Sequence, residues 1–195
     1  MKQNTWSLLN ISVMLLLCFG LQACKTEPLT TSQKDEKRNE VRRMANQSLQ
    51  QLYKAHPGAR TAVENAAGYA VFSDIGFKLL YGGGEKGSGV AVNNSTKHET
   101  FMKMFELQPG LGLGASKFRL VFVFDTQDEF NSFITSGWEA GANAMADAKS
   151  KTEGGAYAGS VTFAHGVHMF QLTEEGLIVG VSITGGKFYK DKELN

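Results

Sequence analysis

The sequence predicts an α+β domain in which helices pack against a mostly antiparallel, curved or barrel-like sheet of short glycine-rich strands. Apolar residues recur at helical spacing from about Glu40 to Lys54, which indicates an N-terminal amphipathic helix. Beyond Gly68 the pattern changes to short runs of aromatic and β-branched residues separated by Gly, Asn, Asp or Ser. One helical stretch near residues 126–136 interrupts these runs.

The first helix has one apolar face and one polar face. Its apolar residues are Val41, Met44, Ala45, Leu49, Leu52 and Tyr53, and the opposite face carries Arg42, Arg43 and three glutamines. Such a helix either packs on its own domain or lies on a membrane surface or a partner. His56-Pro57-Gly58 ends it, and a short second helix is expected from Ala59 to about Asn65.

Eight short segments have the composition of strands. They are residues 69–72, 77–81, 89–92, 101–107, 118–124, 161–163, 168–172 and 177–183. Residues 171–177 have the pattern of a hairpin turn. The intervening helix has Thr126 and Glu129 at capping-box spacing, an apolar stripe that includes Phe130 and Phe133, and Gly137 as its stop.

The N-terminus has the pattern of an export signal. Lys2 precedes an apolar run over residues 8–21, which is shorter than the roughly 18 to 20 residues needed to span a bilayer. Leu21-Gln22-Ala23-Cys24 resembles the bacterial lipobox, so we expect cleavage after residue 23 and acyl chains such as palmitate on Cys24. The alternative is an ordinary secretory signal with an incidental cysteine.

The two cysteines favour lipidation. Cys18 would leave with the signal, so Cys24 would have no partner for an internal disulfide. Lys25 follows it, where an Asp would resemble an inner-membrane retention signal, and we therefore expect anchoring to the periplasmic face of the bacterial outer membrane. Residues 24–39 are polar and are expected to form a flexible tether. Residues 40–195 are expected to form one domain.

Net charge argues against one class of partner. Removing residues 1–23 takes away Lys2 and no acidic residue, which leaves 19 basic residues against 19 acidic ones. Nucleic-acid-binding domains normally have a basic excess, so we do not expect a nucleic-acid partner.

No motif predicts an enzyme or a cofactor. Gly82, Gly84 and Gly87 match G-x-G-x-x-G, but the following residues alternate like a strand and no helix opens there. Ser88 lacks the G-x-S-x-G spacing of a nucleophile elbow. His165 and His168 fall on opposite faces of a strand and lack a third ligand nearby, so they are expected to be surface or turn histidines and not a metal site.

The glycine-rich body resembles the SYLF domain family from about residue 45 to residue 190. The resemblance is carried by Ala66-Ala67-Gly68-Tyr69-Ala70-Val71-Phe72, Gly76-Phe77, Gly82-Gly83-Gly84, Gly110-Leu111-Gly112-Leu113-Gly114-Ala115, Leu120-Val121-Phe122-Val123-Phe124, Gly137-Trp138-Glu139-Ala140-Gly141 and Gly176-Leu177-Ile178-Val179-Gly180-Val181-Ser182. Ser73-Asp74 departs from the family, in which a proline commonly follows the Phe.

This resemblance implies a non-enzymatic lipid-binding module. Eukaryotic members bind phosphoinositides and some bind actin, whereas bacterial members are commonly exported lipoproteins, so membrane phospholipid is the expected partner here. From charge and position, the candidate lipid-binding residues are Arg42, Arg43, Lys78 and Lys86. The glycines either contact a ligand or only bend the sheet.

The alternative is a structural or protein-interaction module of the envelope that uses lipid only as its anchor. In that case an envelope protein is the partner. Aromatic residues such as Phe118, Trp138 and Phe170 would then serve packing and partner contact.

Overall fold

The computed structural model describes residues 28–79, 82–108, 114–140, 155–173, 176–178 and 186–195. Side chains are described in these ranges except at 74–79, 82–86, 106–108, 114–117, 140 and 176–178. The helices are α1 (Thr31–Ala55), α2 (Gly58–Asn65) and α3 (Gln127–Ser136), with a 3₁₀ turn at Gly155–Tyr157. The strands are β1 (Gly68–Leu79), β2 (Gly82–Asn93), β3 (Glu99–Gln108), β4 (Gly114–Phe124), β5 (Trp138–Ala140), β6 (Val161–Ala164), β7 (Val167–Thr173), β8 (Gly176–Ile178) and β9 (Gly186–Lys190). The predicted α+β class is confirmed.

Helix α1 begins earlier than the sequence pattern indicated. We expected a tether through residue 39, but residues 31–39 are helical. Thr30 and Gln33 form a capping box, in which the Gln33 backbone N–H donates to Thr30 Oγ1 and the Thr30 N–H donates to Gln33 Oε1. The first turns lack apolar residues, so hydrophobic periodicity gave no signal there. None of the helices in the described part of the chain is long and apolar enough to cross a membrane.

One antiparallel sheet contains the nine strands of the described residues. Its order is β5-β9-β3-β2-β1-β4-β7-β6, and β8 also pairs with β7. The predicted segments 69–72 and 77–81 belong to the single strand β1, because Ser73-Asp74 and Gly76 continue the pairing with β2 instead of breaking it. Strands β5 and β9 were not predicted, and residues 179–183 of the last predicted strand lie outside the described residues.

The sheet curls until its two edges meet through side chains. Trp138 on edge strand β5 stacks on Phe163 of edge strand β6, with ring centroids 5.4 Å apart and an angle of 10° between the planes. The ring centroid of Phe133 from α3 lies 5.1 Å from that of Trp138, and Phe133 packs into the same interior. This inner cluster is Ala70, Phe72, Ala91, Met102, Met104, Phe118, Leu120, Phe122, Phe124, Phe130, Phe133, Val161, Val167, Met169 and Phe188. The predicted curved, barrel-like sheet is therefore confirmed.

Helices α1 and α2 cover the outer face of the same sheet. Alternate strand residues face them, so Val71 and Val121 pack outward while Phe72 and Phe122 pack inward. This helix-side cluster is Val41, Ala45, Leu49, Leu52, Ala59, Val63, Ala66, Val71, Val90, Phe101, Val121, Val123, Phe170, Leu172 and Leu194. Of the two interpretations of α1, packing on its own domain is the one that the structure shows.

Two glycines of the sheet leave space for aromatic rings. A Cβ on Gly89 would collide with the Phe72 ring and the Val71 carbonyl oxygen, and one on Gly68 would collide with the Phe130 ring. Gly87 and its neighbours lie in strand β2, so no phosphate-binding helix follows the G-x-G-x-x-G match. At Gly68 and Gly89 the glycine serves core packing.

We expect Gly89→Ala to lower the free energy of unfolding by about 1 to 3 kcal/mol, because the added methyl group overpacks the core. Gly186→Ala is the matched control, since a Cβ there meets its nearest atom at an ordinary 3.6 Å. Urea unfolding of both variants measures the difference. Equal stability of the two would contradict the role assigned to Gly89.

Candidate functional site, a basic cleft beside the first helix

A cleft of about 530 Å³ opens between the N-terminal half of α1, the start of β3 and the C-terminal turn. Its lining residues are Asp35, Arg38, Arg42, Lys97, His98, Glu99, Phe101, Lys190, Leu194 and Asn195. We call it the basic cleft. Its volume falls in the range typical of small-molecule sites, roughly 300 to 1,000 Å³.

Three separate elements bring the cationic residues together. Arg38 and Arg42 are four residues apart and therefore share one face of α1. Lys97 lies in the turn between β2 and β3 with a left-handed φ of 59°, and its N–H donates to the Asn93 carbonyl at 2.8 Å. Lys190 ends β9, the neighbour of β3 in the sheet. The turn also places His98 in the lining.

Arg42 is held by a carboxylate at the cleft. Its Nε and Nη2 both lie 2.8 Å from Glu99 Oε2, and its Nη1 donates to Asn39 Oδ1 at 2.8 Å. The hydrogen bond to Glu99 raises the pKa of Arg42, against a smaller opposing effect of burial. The guanidinium carbon lies 5.3 Å from the centre of the buried Phe101 ring, within the range of a cation–π contact.

Arg38 ties the helix to the C-terminal turn. Its Nε donates to the Leu194 carbonyl at 2.8 Å, and its Nη1 lies 2.9 Å from Asp35 Oδ1. Its guanidinium carbon is 6.0 Å from the Phe101 ring centre. Phe101 therefore forms an apolar floor beneath two guanidinium groups.

The cleft has an excess of positive charge. The lining side chains include four cationic groups, on Arg38, Arg42, Lys97 and Lys190, and two carboxylates, on Asp35 and Glu99. In the part of the chain that the structure describes, Lys97 and Lys190 have no carboxylate partner. Both lysines are exposed residues of the lining.

A second cavity of about 500 Å³ lies along α1 but has a different charge balance. It is lined by Lys37, Glu40, Val41, Met44, Ser73, Ser88, Lys103, Asp191, Glu193 and Leu194. Lys103 Nζ lies 3.2 Å from Asp191 and 3.5 Å from Glu193. Burial lowers the pKa of Lys103, but the bonds to these two carboxylates outweigh it and raise the pKa overall. With its central cation already paired, this cavity is the weaker candidate for an anion.

The predicted lipid-binding residues do not all meet in the basic cleft. Arg42 lines it, whereas Arg43 is exposed on α1 and does not. Lys78 pairs with Gly83 and Lys86 with Ile75 in the hairpin of β1 and β2, and the side chains of both lysines lie outside the described part. Cys24 also lies outside the described residues. Arg38, Lys97, His98 and Lys190 were missed, and the capping box at Thr30 was the sequence signal that could have placed Arg38 on the helix.

The two clustered histidines have different environments. His165 is exposed in the turn between β6 and β7, but His168 is buried in β7, which corrects the expectation of two surface or turn residues. His168 Nε2 lies 3.1 Å from Asp125 Oδ2, and Tyr157 stacks on the imidazole at 3.8 Å. The described residues contain no group of three or more His, Cys, Asp or Glu placed to hold a metal ion.

Tyr157 completes this contact by donating its hydroxyl to Asp125 Oδ1 at 2.7 Å. Burial and the bond to Asp125 both raise the pKa of Tyr157. The Asp125 backbone N–H also donates to the Gly166 carbonyl at 2.8 Å. The cluster therefore joins the 3₁₀ turn, the start of α3 and the turn before β7, and its geometry indicates a structural clamp.

Comparison with known proteins finds a relative over most of the chain. The chain is 33% identical over 174 residues to Beta cell expansion factor A of Aeromonas veronii. The match covers 86% of this chain and 62% of the relative, so the chain spans less than two thirds of that protein. No family model matches the sequence.

We expect Tyr157→Phe to lower the free energy of unfolding by about 1 kcal/mol, because the substitution removes the hydrogen bond to Asp125 but retains the ring. Tyr189→Phe is the control, since Tyr189 is exposed and should change stability by less than about 0.5 kcal/mol. Thermal unfolding followed by circular dichroism measures both. If Tyr157→Phe lowers the free energy of unfolding no more than Tyr189→Phe does, the hydrogen bond to Asp125 adds no stability.

Proposed function

We propose that this chain is a non-enzymatic lipoprotein, anchored through Cys24 to the periplasmic face of the outer membrane, whose domain binds anionic phospholipid headgroups in the basic cleft. The observation that carries the proposal is the cleft itself, whose lining includes the exposed residues Lys97 and Lys190 as well as Arg38 and Arg42. The whole mature chain has no net charge, so this local excess distinguishes the cleft from the average surface.

The chemistry of the cleft suits a phosphate group. Guanidinium groups bind phosphate oxygens through charge-assisted hydrogen bonds, and ammonium groups add mobile point charges. Basic residues near an anionic membrane surface contribute about 1 kcal/mol each. The Phe101 floor keeps the two arginines in place, so the anion meets a partly preorganised site.

We further propose that the domain belongs to the SYLF family. The glycine and aromatic motifs of residues 66–72, 120–124 and 137–141 support this assignment. The relative of 33% identity supports shared ancestry over most of the chain without specifying this family. Lipid binding is the property that this assignment would bring to a bacterial envelope protein.

The competing function, an envelope interaction module, has less support from the aromatic residues. Phe118 and Phe170 are buried, and Trp138 is partly buried in its stack on Phe163. These three side chains pack the domain, so they offer little surface to a partner protein.

For the cleft, we expect Lys97→Ala with Lys190→Ala to weaken binding to phosphatidylglycerol-containing vesicles by roughly 30-fold, because two charges of about 1 kcal/mol each are lost. The chain from residue 24 onward, carrying Cys24→Ser, is sedimented with phosphatidylcholine vesicles that contain or lack phosphatidylglycerol. Wild type should bind only the anionic vesicles.

The matched control for this double variant is Arg43→Ala with Lys54→Ala. Both residues are exposed on α1 outside the cleft, and the net charge changes by the same amount. We expect this control to lose no more than about threefold from general surface charge. Equal losses in the two variants would show that net charge, and not the cleft, governs binding, and a folded wild type that binds no vesicle would exclude the function.

For the anchor, we expect radiolabelled palmitate to be incorporated into the full-length chain in a Gram-negative host and Cys24→Ser to abolish the label, because the thiol is the acylation site. Cys18→Ser should keep the label, since that cysteine would be removed with the signal. Label that persists in Cys24→Ser would contradict the lipobox assignment. Membrane fractionation then distinguishes the outer from the inner membrane.

A further inference from the structure

We propose that Glu99 is a tethered competitor of the ligand and that it makes the basic cleft select phosphate monoesters over phosphodiesters. The inference rests on the proposed function and concerns the class of headgroup that the cleft accepts. It follows from the carboxylates that already pair with Arg42 and Arg38.

Glu99 occupies the side of Arg42 that a phosphate would need. Of the five guanidinium N–H groups, one on Nε and one on Nη2 point to Glu99 Oε2, and one on Nη1 points to Asn39. The side chains of Arg42 and Glu99 are 41% and 30% exposed, so solvent reaches the pair without any change of fold. An anion that binds the Nε and Nη2 groups of Arg42 must either displace the Glu99 carboxylate or share these donors with it.

Displacement by a phosphodiester brings little electrostatic gain. A diester has one negative charge, as Glu99 does, while Glu99 is held next to Arg42 by the backbone of β3 at a high effective concentration. A free diester that displaces Glu99 from Arg42 therefore replaces one single negative charge by another. It also loses its translational and rotational freedom on binding.

A phosphate monoester differs in charge and in the number of acceptors. Near neutral pH it has a charge of roughly −1.5 to −2 and three terminal oxygens. The additional charge is attracted by Lys97 and Lys190, for which the described residues supply no carboxylate. A dianion therefore gains more from these lysines and from Arg42 than the single charge of Glu99 does.

Asp35 is a weaker competitor than Glu99. It pairs with Arg38 as an i,i+3 neighbour on the helix surface and is 57% exposed, a setting in which ion pairs contribute little. Arg38 also keeps its bond to the Leu194 carbonyl irrespective of Asp35. Selectivity is therefore assigned to Glu99.

The test compares phosphatidic acid, a monoester, with phosphatidylglycerol, a diester, in phosphatidylcholine vesicles adjusted to equal zeta potential. The protein is the chain from residue 24 onward with Cys24→Ser. We expect wild type to prefer phosphatidic acid by about tenfold, because equal surface potential leaves only the local charge of the headgroup to differ. Equal binding of the two lipids would overturn the proposal.

The variant Glu99→Gln removes the competing charge and keeps the size of the side chain. We expect binding to phosphatidylglycerol to strengthen by about tenfold and binding to phosphatidic acid by less, so that the preference shrinks. Glu64→Gln is the control, because Glu64 is an exposed acid on α2 and the change in net charge is the same. It should leave the preference unchanged. If Glu99→Gln weakens binding to both lipids, Glu99 positions Arg42 for the ligand and the proposal fails.

Two further outcomes separate this inference from the proposed function. Glycerol 3-phosphate and glycerophosphoglycerol, titrated by calorimetry without vesicles, supply the same monoester and diester in soluble form. If the soluble monoester binds as tightly as the phosphatidic acid vesicles, monoester selection is supported but a membrane headgroup is not the ligand. If neither vesicles nor soluble esters bind the folded protein, the proposed function fails together with the inference, whereas binding without a preference overturns the inference alone.

Discussion

The antiparallel sheet is buried on both of its faces, and this two-sided burial sets where the helices must lie. Along β4, Val121 and Val123 pack under the helices while Phe122 and Phe124 point into the curled interior. An antiparallel sheet often leaves one face to solvent, but these strands are apolar on both faces and need cover on each side. Helices α1 and α2 supply the outer cover, and the curl of the sheet together with α3 supplies the inner one.

This two-sided burial also creates the basic cleft. Phe101 and Met102 are adjacent in β3 and belong to opposite clusters, so Phe101 faces α1. Leu194 from the C-terminal turn packs into the same helix-side cluster. The polar edge of α1 is thereby held beside the first residues of β3 and the end of β9. The packing of α1 thereby brings Arg38 and Arg42 to the cleft.

Ion pairing distinguishes the two cavities along α1. In one of them Lys103 is paired with the buried Asp191. Leu194 lines both this cavity and the basic cleft. In the basic cleft the carboxylates pair with the arginines and leave the lysines open. The distribution of the acids, and not the number of bases, therefore decides where an anion can be attracted on a chain with 20 basic and 19 acidic residues.

Elements with local signals could be predicted from the sequence. Thr126 at the N-cap and Gly137 at the C-cap bound α3, and the apolar stripe of α1 predicted an amphipathic helix, because capping and periodicity act within a few residues. The assembly of the basic cleft and the closure of the sheet depend on contacts between distant parts of the chain. Lys97 and Lys190 are far apart in sequence and line one cleft with α1 because β3 pairs with β9. Trp138 reaches Phe163 only because the sheet curls. Pairing between strands that are distant in sequence sets these contacts. Local patterns in a single sequence do not specify which strands pair.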